Sequence, residues 1–231
     1  DLPYGTTACK WDSVIPFDPL WKHYERIIKD NGAIVLTASQ PFTSYLIVSN
    51  IKLFKYEIIW EKSKASNYVH CKYQPMKSHE NVLVFSKYPA AQNSANKNMI
   101  YNPQFTNGKP YDKGWNDIDK VEHLQGGSKI GVANINVDGK RYPRSVQYFI
   151  TAESEGKLHP TQKPTSLYDF CFDFAKVEAG MKVLDTHLGS QSSRISANKH
   201  QLNFVGFETD EEYFNKGNKR YDDFVSQTRL F

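Results

Sequence analysis

Two clusters in this 231-residue chain carry groups that could do chemistry. Asp1-Leu2-Pro3-Tyr4 brings together a carboxylate, a proline-fixed carbonyl and an aromatic face, the groups needed to hold an amino nitrogen. Val183-Leu184-Asp185-Thr186-His187-Leu188-Gly189-Ser190, running into Gln191-Ser192-Ser193, has the form of a strand, a tight loop and a helix start, which suits a nucleoside cofactor. An exocyclic amine on adenine or cytosine is a poor nucleophile, because its lone pair is delocalised into the ring. Asp1 and the Pro3 carbonyl could each accept one N–H, letting the nitrogen rehybridise as it attacks an electrophilic methyl group in line. Tyr4 would stack on the base. A base inside a duplex must first be flipped out, at roughly a few kcal/mol. Alone, Asp-Leu-Pro-Tyr is equally the sequence of a type I or II turn.

In a βαβ nucleotide site the ligand lies over the carboxyl end of the first strand, and an acid ending the second strand takes ribose hydroxyls. Glu208 is that acid, 23 residues after Asp185. His187, Gly189 and Ser190 would line the loop. There is no GKS or GKT ending and no complete GxGxxG, so the loop suits S-adenosylmethionine better than a phosphate-rich ligand. The competing reading makes Asp185 and Glu208 ordinary strand-end carboxylates that cap neighbouring backbone.

The elements that must position these residues read as α/β. A helix is expected over 18–31, with Asp18 as cap and Pro19 at its first position, then a buried strand at Ala33-Ile34-Val35-Leu36. A second helix over 42–54 precedes strands at 56–60 and 81–85. Alternation then lapses for some sixty residues, with turn signals at Asn107-Gly108, Gly126-Gly127 and Asp138-Gly139. It resumes with a helix from Pro164 to near Gly180, a strand at 183–184, a helix over 192–199 and a strand at 204–207. The last helix is expected to start in a capping box of Thr209 and Glu212. The reading is a doubly wound α/β core in two halves, 1–87 and 149–231, interrupted by an insertion at 88–148.

Composition fits one core-forming domain, with 39% hydrophobic residues, and the net charge of +4 is unevenly spread. Within 91–150, Lys97, Lys109, Lys113, Lys120, Lys129, Lys140, Arg141 and Arg144 face only five acids. With Tyr101, Phe105, Tyr111 and Trp115 they mark a binding lobe, and Lys97, Lys109, Lys113, Lys129, Lys140, Arg141 and Arg144 are the candidates for nucleic-acid phosphates. Cys9, Cys71 and Cys171 are odd in number and widely spaced, which argues against a disulfide framework and suggests a reducing, cytoplasmic setting. No metal site is expected, since His70, Cys71 and His79 lack a suitably spaced fourth ligand. No apolar run approaches the roughly 20 residues of a membrane span.

Taken together, these motifs resemble the amino-methylating DNA methyltransferases in which the catalytic motif precedes the cofactor motif. Asp1 to Tyr4 is similar to that family's (D/N/S)PPY motif, with Leu2 in place of the first proline, and 183–193 to its cofactor loop. The segment Met76-Lys77-Ser78-His79-Glu80-Asn81 and the run His159-Pro160-Thr161-Gln162-Lys163-Pro164 also match. The resemblance implies a mainly parallel, Rossmann-like sheet of seven strands with one reversed. It further implies S-adenosylmethionine as cofactor, contacted through its methionine carboxylate by Thr161 and Lys163, and double-stranded DNA as substrate, read by the insertion. Asp1 rather than Ser leans towards adenine N6, with cytosine N4 as the alternative and a restriction-modification setting. A non-catalytic DNA-binding module is the reading from a different class. Gln191 stands where the family loop usually has glycine, so its side chain is expected to crowd the cofactor or to need another backbone conformation. Two family strands precede the catalytic motif, so about 25 to 40 further residues are expected upstream.

Overall fold

The computed structural model describes residues 1–91, 95–116, 132–156 and 158–228. In chain order the elements are α1 (Phe17–Ile27), β1 (Ile34–Ala38), α2 (Phe42–Ser49), β2 (Phe54–Ser66) and β3 (Lys77–Phe85). Then follow β4 (Thr106–Asn107), β5 (Tyr111–Asn116), β6 (Val132–Asn136), β7 (Lys140–Arg141) and β8 (Val146–Phe149). The chain finishes with α3 (Thr165–Phe174), β9 (Lys182–Asp185), α4 (Ser192–Lys199), β10 (Asn203–Gly206) and α5 (Glu211–Thr228). Two compact units form, one from Asp1–Asn102 with Ser145–Phe231 and one from Pro103–Arg144.

The larger unit is a layered α/β structure. Its main sheet has the order β1-β3-β2-β8, in which β3 runs against β1 and β2 while β8 is parallel to β2. β3 is therefore the one reversed strand. Its side chains alternate between the two faces, as strand geometry requires. Leu83 and Phe85 join Trp21, Tyr24, Phe42 and Leu46 of α1 and α2. Val82 and Val84 join Leu167, Cys171 and Phe174 of α3. Fully burying a side chain of this size contributes roughly 1.5–3 kcal/mol.

β9 and β10 pair in parallel as a separate two-stranded sheet. Of the seven-stranded layer that the resemblance implies, with two strands expected upstream, the described residues form sheets of four and two strands. Tyr24 Oη of α1 lies 2.8 Å from Thr186 Oγ1 beyond β9.

Several element ends differ from the sequence pattern. α1 stops at Ile27 because Ile28 turns extended, and its entry residue is Pro16, with Asp18 inside the first turn. α2 stops at Ser49, where the Asn50 side chain accepts the Leu53 N–H at 3.3 Å and turns the chain into β2. α3 ends at Phe174, ahead of Lys176 with φ +50°. Asp210, not Thr209, caps α5, its Oδ1 accepting the Tyr213 N–H at 3.0 Å.

The smaller unit is narrower than the expected 88–148 insertion. Tyr88 and Met99 pack in the larger unit's core, and Asn102 N–H donates to Phe174 O at 2.8 Å. Within the smaller unit β4 pairs with β7 and β5 with β6, both antiparallel. Both turn signals at its closure hold, since Gly108 N–H donates to Gly139 O at 2.8 Å. A Cβ on Gly139 would lie 2.3 Å from Gly108 O. The third turn signal, Gly126-Gly127, lies outside the described residues.

Candidate active site

Asp185 ends β9 and organises the loop that follows. Its Oδ1 accepts the His187 N–H at 3.0 Å, and its Oδ2 accepts the Ser193 hydroxyl. Glu208, beyond β10, accepts the Gly189 N–H with Oε2 at 2.8 Å and those of Thr209 and Asp210 with Oε1 at 2.8 and 3.0 Å. Both carboxylates therefore cap backbone, and Glu208 also faces the cavity described below. His187 lies over the loop with Nδ1 3.0 Å from Thr186 Oγ1, and burial is the largest cause of its pKa being pushed down to about 4.

Arg220 of α5, which the sequence pattern did not single out, braces this loop from behind. It donates to Ser190 O at 2.8 Å and Ser192 Oγ at 2.9 Å, and pairs with Glu155 at 2.8 Å. Glu155 in turn accepts the Thr165 N–H at the start of α3.

Gln191 does not crowd the cavity. Its backbone takes the left-handed conformation, φ +62°, that a glycine would take. Its fully buried side chain turns into the seam between α4 and α5, donating to Phe214 O at 3.2 Å and Asn218 Oδ1 at 3.0 Å and accepting from Arg194 at 2.8 Å. The expectation of a clash with a cofactor is corrected by this rotation.

The Asp1-Leu2-Pro3-Tyr4 segment sits against the end of β1. Leu2 is buried beside Leu36 and Ala38, while Asp1 Oδ1 accepts the Thr37 hydroxyl at 2.7 Å and Oδ2 accepts Lys163 Nζ at 2.7 Å. Tyr4 stacks on Phe42, centroids 5.2 Å apart, with Lys163 Nζ 5.4 Å from its ring centre. The turn after Tyr4 is set by Asp12, a buried carboxylate absent from the sequence reading. It accepts the N–H groups of Gly5, Thr6 and Thr7 at 2.9, 2.9 and 2.7 Å. Burial works against the charge on Asp12, but the Thr7 hydroxyl and then these N–H groups outweigh it and hold its carboxyl below the usual range. The run Gly5-Thr6-Thr7 before a lone Asp was the signal available for this turn.

These loops converge on one cavity of about 280 Å³. Of the ten catalytic and cofactor candidates, nine line it, namely Asp1, Pro3, Tyr4, Thr161, Lys163, His187, Gly189, Ser190 and Glu208; Asp185 lies outside the lining. Its rim carries an aromatic row, Trp11 to His159 at 5.0 Å and His159 to Tyr213 at 4.3 Å. Thr161 is tied to the same imidazole, its hydroxyl 3.1 Å from His159 Nδ1.

The basic candidates are divided. Lys97 belongs to the larger unit and is exposed, whereas Lys109, Lys113, Lys140, Arg141 and Arg144 belong to the smaller one. Arg141 donates to Asn136 Oδ1 at 2.8 Å and to the carbonyls of Lys140 and Lys109, and lies 4.8 Å from the Tyr111 ring centre. Lys113 lies over that same ring and Lys140 over Phe105. Lys129 is outside the described residues.

A nucleoside-type loop at the ends of parallel strands, sharing a cavity with a carboxylate-proline-aromatic segment, defines a class of group-transfer protein. The chain belongs to the N6/N4 DNA methylase family, whose model matches residues 9–219. It is 24% identical over 205 residues to the Type II methyltransferase M.HindIII of Haemophilus influenzae, with 82% of this chain and 63% of that protein covered. Against M1.MboII of Moraxella bovis it is 24% identical over 244 residues, covering 94% of this chain and 85% of the relative. Among solved structures, the complex of M1.HpyAVI with SAM superposes with a TM-score of 0.51 at 19% identity, covering 85% of this chain and 78% of that one. The cytosine-N4-specific PvuII methyltransferase gives 0.55 at 13% identity, covering 91% and 74%. The chain thus spans just under two thirds of M.HindIII and more of the others.

Proposed function

We propose that this chain is an S-adenosylmethionine-dependent DNA methyltransferase acting on an exocyclic amino group of a flipped-out base, with adenine N6 as the acceptor. The observation that carries the reading is the shared cavity, lined both by Asp1, whose carboxylate is fixed, and by the Gly189-Ser190 loop. The wall suits a nucleoside that bears an amino acid. It offers the Glu208 carboxylate and the Gln162 Nε2, a buried donor with no hydrogen-bond partner among the described residues. His187, Gly189, Ser190, Glu208 and Thr161 would hold the cofactor, which supplies an electrophilic methyl group.

Asp1 and the Pro3 carbonyl accept the two N–H groups of the base, so the nitrogen's lone pair turns towards the methyl carbon. The bound cofactor would give up its methyl group to the nitrogen and leave as the neutral thioether, and the amine's proton would pass afterwards to Asp1 or water. Tyr4 supplies an aromatic surface at the same end of the cavity. The unit 103–144 is the reading surface for double-stranded DNA, its exposed lysines meeting phosphates. The relatives' Type II designation supports a place in restriction-modification.

Asp at position 1 favours adenine. Cytosine N4 is the second reading, because the same acceptors serve either amine and the PvuII enzyme shares the fold. Mass spectrometry of nucleosides from unmethylated DNA, incubated with the protein and S-adenosylmethionine, decides between them. N6-methyladenine is the expected product, N4-methylcytosine would move the acceptor, and no methylated base would overturn the reading in favour of a binding module.

A further inference from the structure

Lys163 is a buried lysine of the cavity wall whose ammonium pairs with two carboxylates. Its side chain is 4% exposed. Its Nζ lies 2.7 Å from Asp1 Oδ2 and 3.5 Å from Glu80 Oε2, and Glu80 Oε1 lies 3.1 Å from Lys62 Nζ. The four side chains form a chain of alternating charge, Asp1, Lys163, Glu80 and Lys62, drawn from the catalytic segment, the run before α3, β3 and β2. Burial works against the Glu80 charge, but Lys163 and then Lys62 outweigh it and hold its carboxyl below the usual range.

We infer that Lys163 is a positioning residue for the Asp1 carboxylate, backed by Glu80 and Lys62, and not a contact for the methionine carboxylate of the cofactor. The inference rests on the reading of Asp1 given above. Two oxygens of Asp1 are fixed at once, one by Thr37 and one by Lys163, so the carboxylate plane cannot rotate. Each oxygen keeps a second acceptor position for an amine N–H. The same ammonium lies over the Tyr4 ring and steadies it.

Glu80 answers an electrostatic problem that Lys163 alone would create. An amine gains positive charge as it is methylated, and a bare ammonium beside the site would oppose that change. Paired with Glu80, Lys163 orients Asp1 while adding little net field. The methionine carboxylate is then left to other donors on the wall, with Gln162 Nε2 available.

The test is the split between transfer rate and cofactor affinity in Lys163→Met and Glu80→Gln. The expected result is a single-turnover rate at least about 100-fold lower for Lys163→Met and about tenfold lower for Glu80→Gln. Calorimetric Kd for S-adenosylmethionine should stay within about threefold of wild type in both. A Kd raised tenfold or more in Lys163→Met, with the rate at saturating cofactor preserved, would put the lysine on the cofactor and overturn the inference. Glu80→Gln keeps Lys163 and Asp1 in place, so it serves where Lys163→Met does not fold; a wild-type rate in it counts against the relay. If wild-type protein transfers no methyl to DNA, the functional reading above fails, and the Kd comparison still decides where Lys163 points.

Discussion

The side chain of Gln191 occupies the space that a Cβ on Gly217 would need. A methyl group there would come within 2.6 Å of Gln191 Cγ and 2.8 Å of its Nε2. The glutamine cannot swing aside cheaply, because Phe214, Asn218 and Arg194 all hold its amide. The glutamine in the loop and the glycine inside α5 are therefore one feature.

Gly217→Ala should accordingly destabilise the protein, although alanine is the better helix former by about 1 kcal/mol. Overpacking of this kind costs about 1–3 kcal/mol. In a Gln191→Gly background the same alanine should become stabilising. Urea unfolding of the two singles and the double reads the change of sign, and additivity would show that the residues do not compete for space.

Asp1→Ala and Glu208→Ala should separate catalysis from cofactor binding. The first should lower methyl transfer by at least about 100-fold and leave the Kd for S-adenosylmethionine within about threefold. The second should raise that Kd by about tenfold or more and cost about 1–3 kcal/mol of stability, since three backbone N–H groups lose their acceptor. Equal losses of affinity in both variants would break the division of roles.

Asp12→Asn should loosen the catalytic segment. One carboxylate oxygen becomes a donor that opposes the N–H groups of Gly5 or of Thr6 and Thr7, at about 1–3 kcal/mol. Because the Asp12 carboxyl is depressed in the folded state, its contribution is present above the unfolded pKa of 3.8 and is lost as pH falls through the folded value. Wild type and variant should therefore differ in urea midpoint at pH 7 and converge in strong acid.

His187 should make the fold sensitive to mild acid. Its folded pKa of about 4 lies below the ordinary imidazole value of 6.5, so between those limits the unfolded chain binds a proton that the folded one refuses. Stability then falls with pH across that window. His187→Gln should lose this component, measured as the difference in urea midpoint between pH 7 and pH 4.5.

The sequence revealed most where one residue type has one strong use. The apolar runs at Ile34 and Val82 became β1 and β3, and Asp185 and Glu208 fell at the ends of β9 and β10 as spacing required. Element ends were harder, because Asn50 and Lys176 stop helices through local backbone conformations that apolar periodicity does not encode. The partners of Lys163 and Gln191 were not legible for a common reason, since they lie 83 residues away for Lys163, at Glu80, and 27 residues away for Gln191, at Asn218. Asp12 was missed because it acts on backbone N–H groups, and Arg220 because its partners Ser190 and Glu155 lie 30 and 65 residues away.

Arg141 has a consequence for how the smaller unit would meet a polyanion. Its guanidinium is shared among Asn136, the carbonyls of Lys140 and Lys109, and the Tyr111 ring, so its charge already has a structural use. All of these partners are neutral, so the guanidinium keeps its full charge while losing its freedom to move. A polyanion that meets it finds a cation already ordered, with little side-chain entropy left to lose.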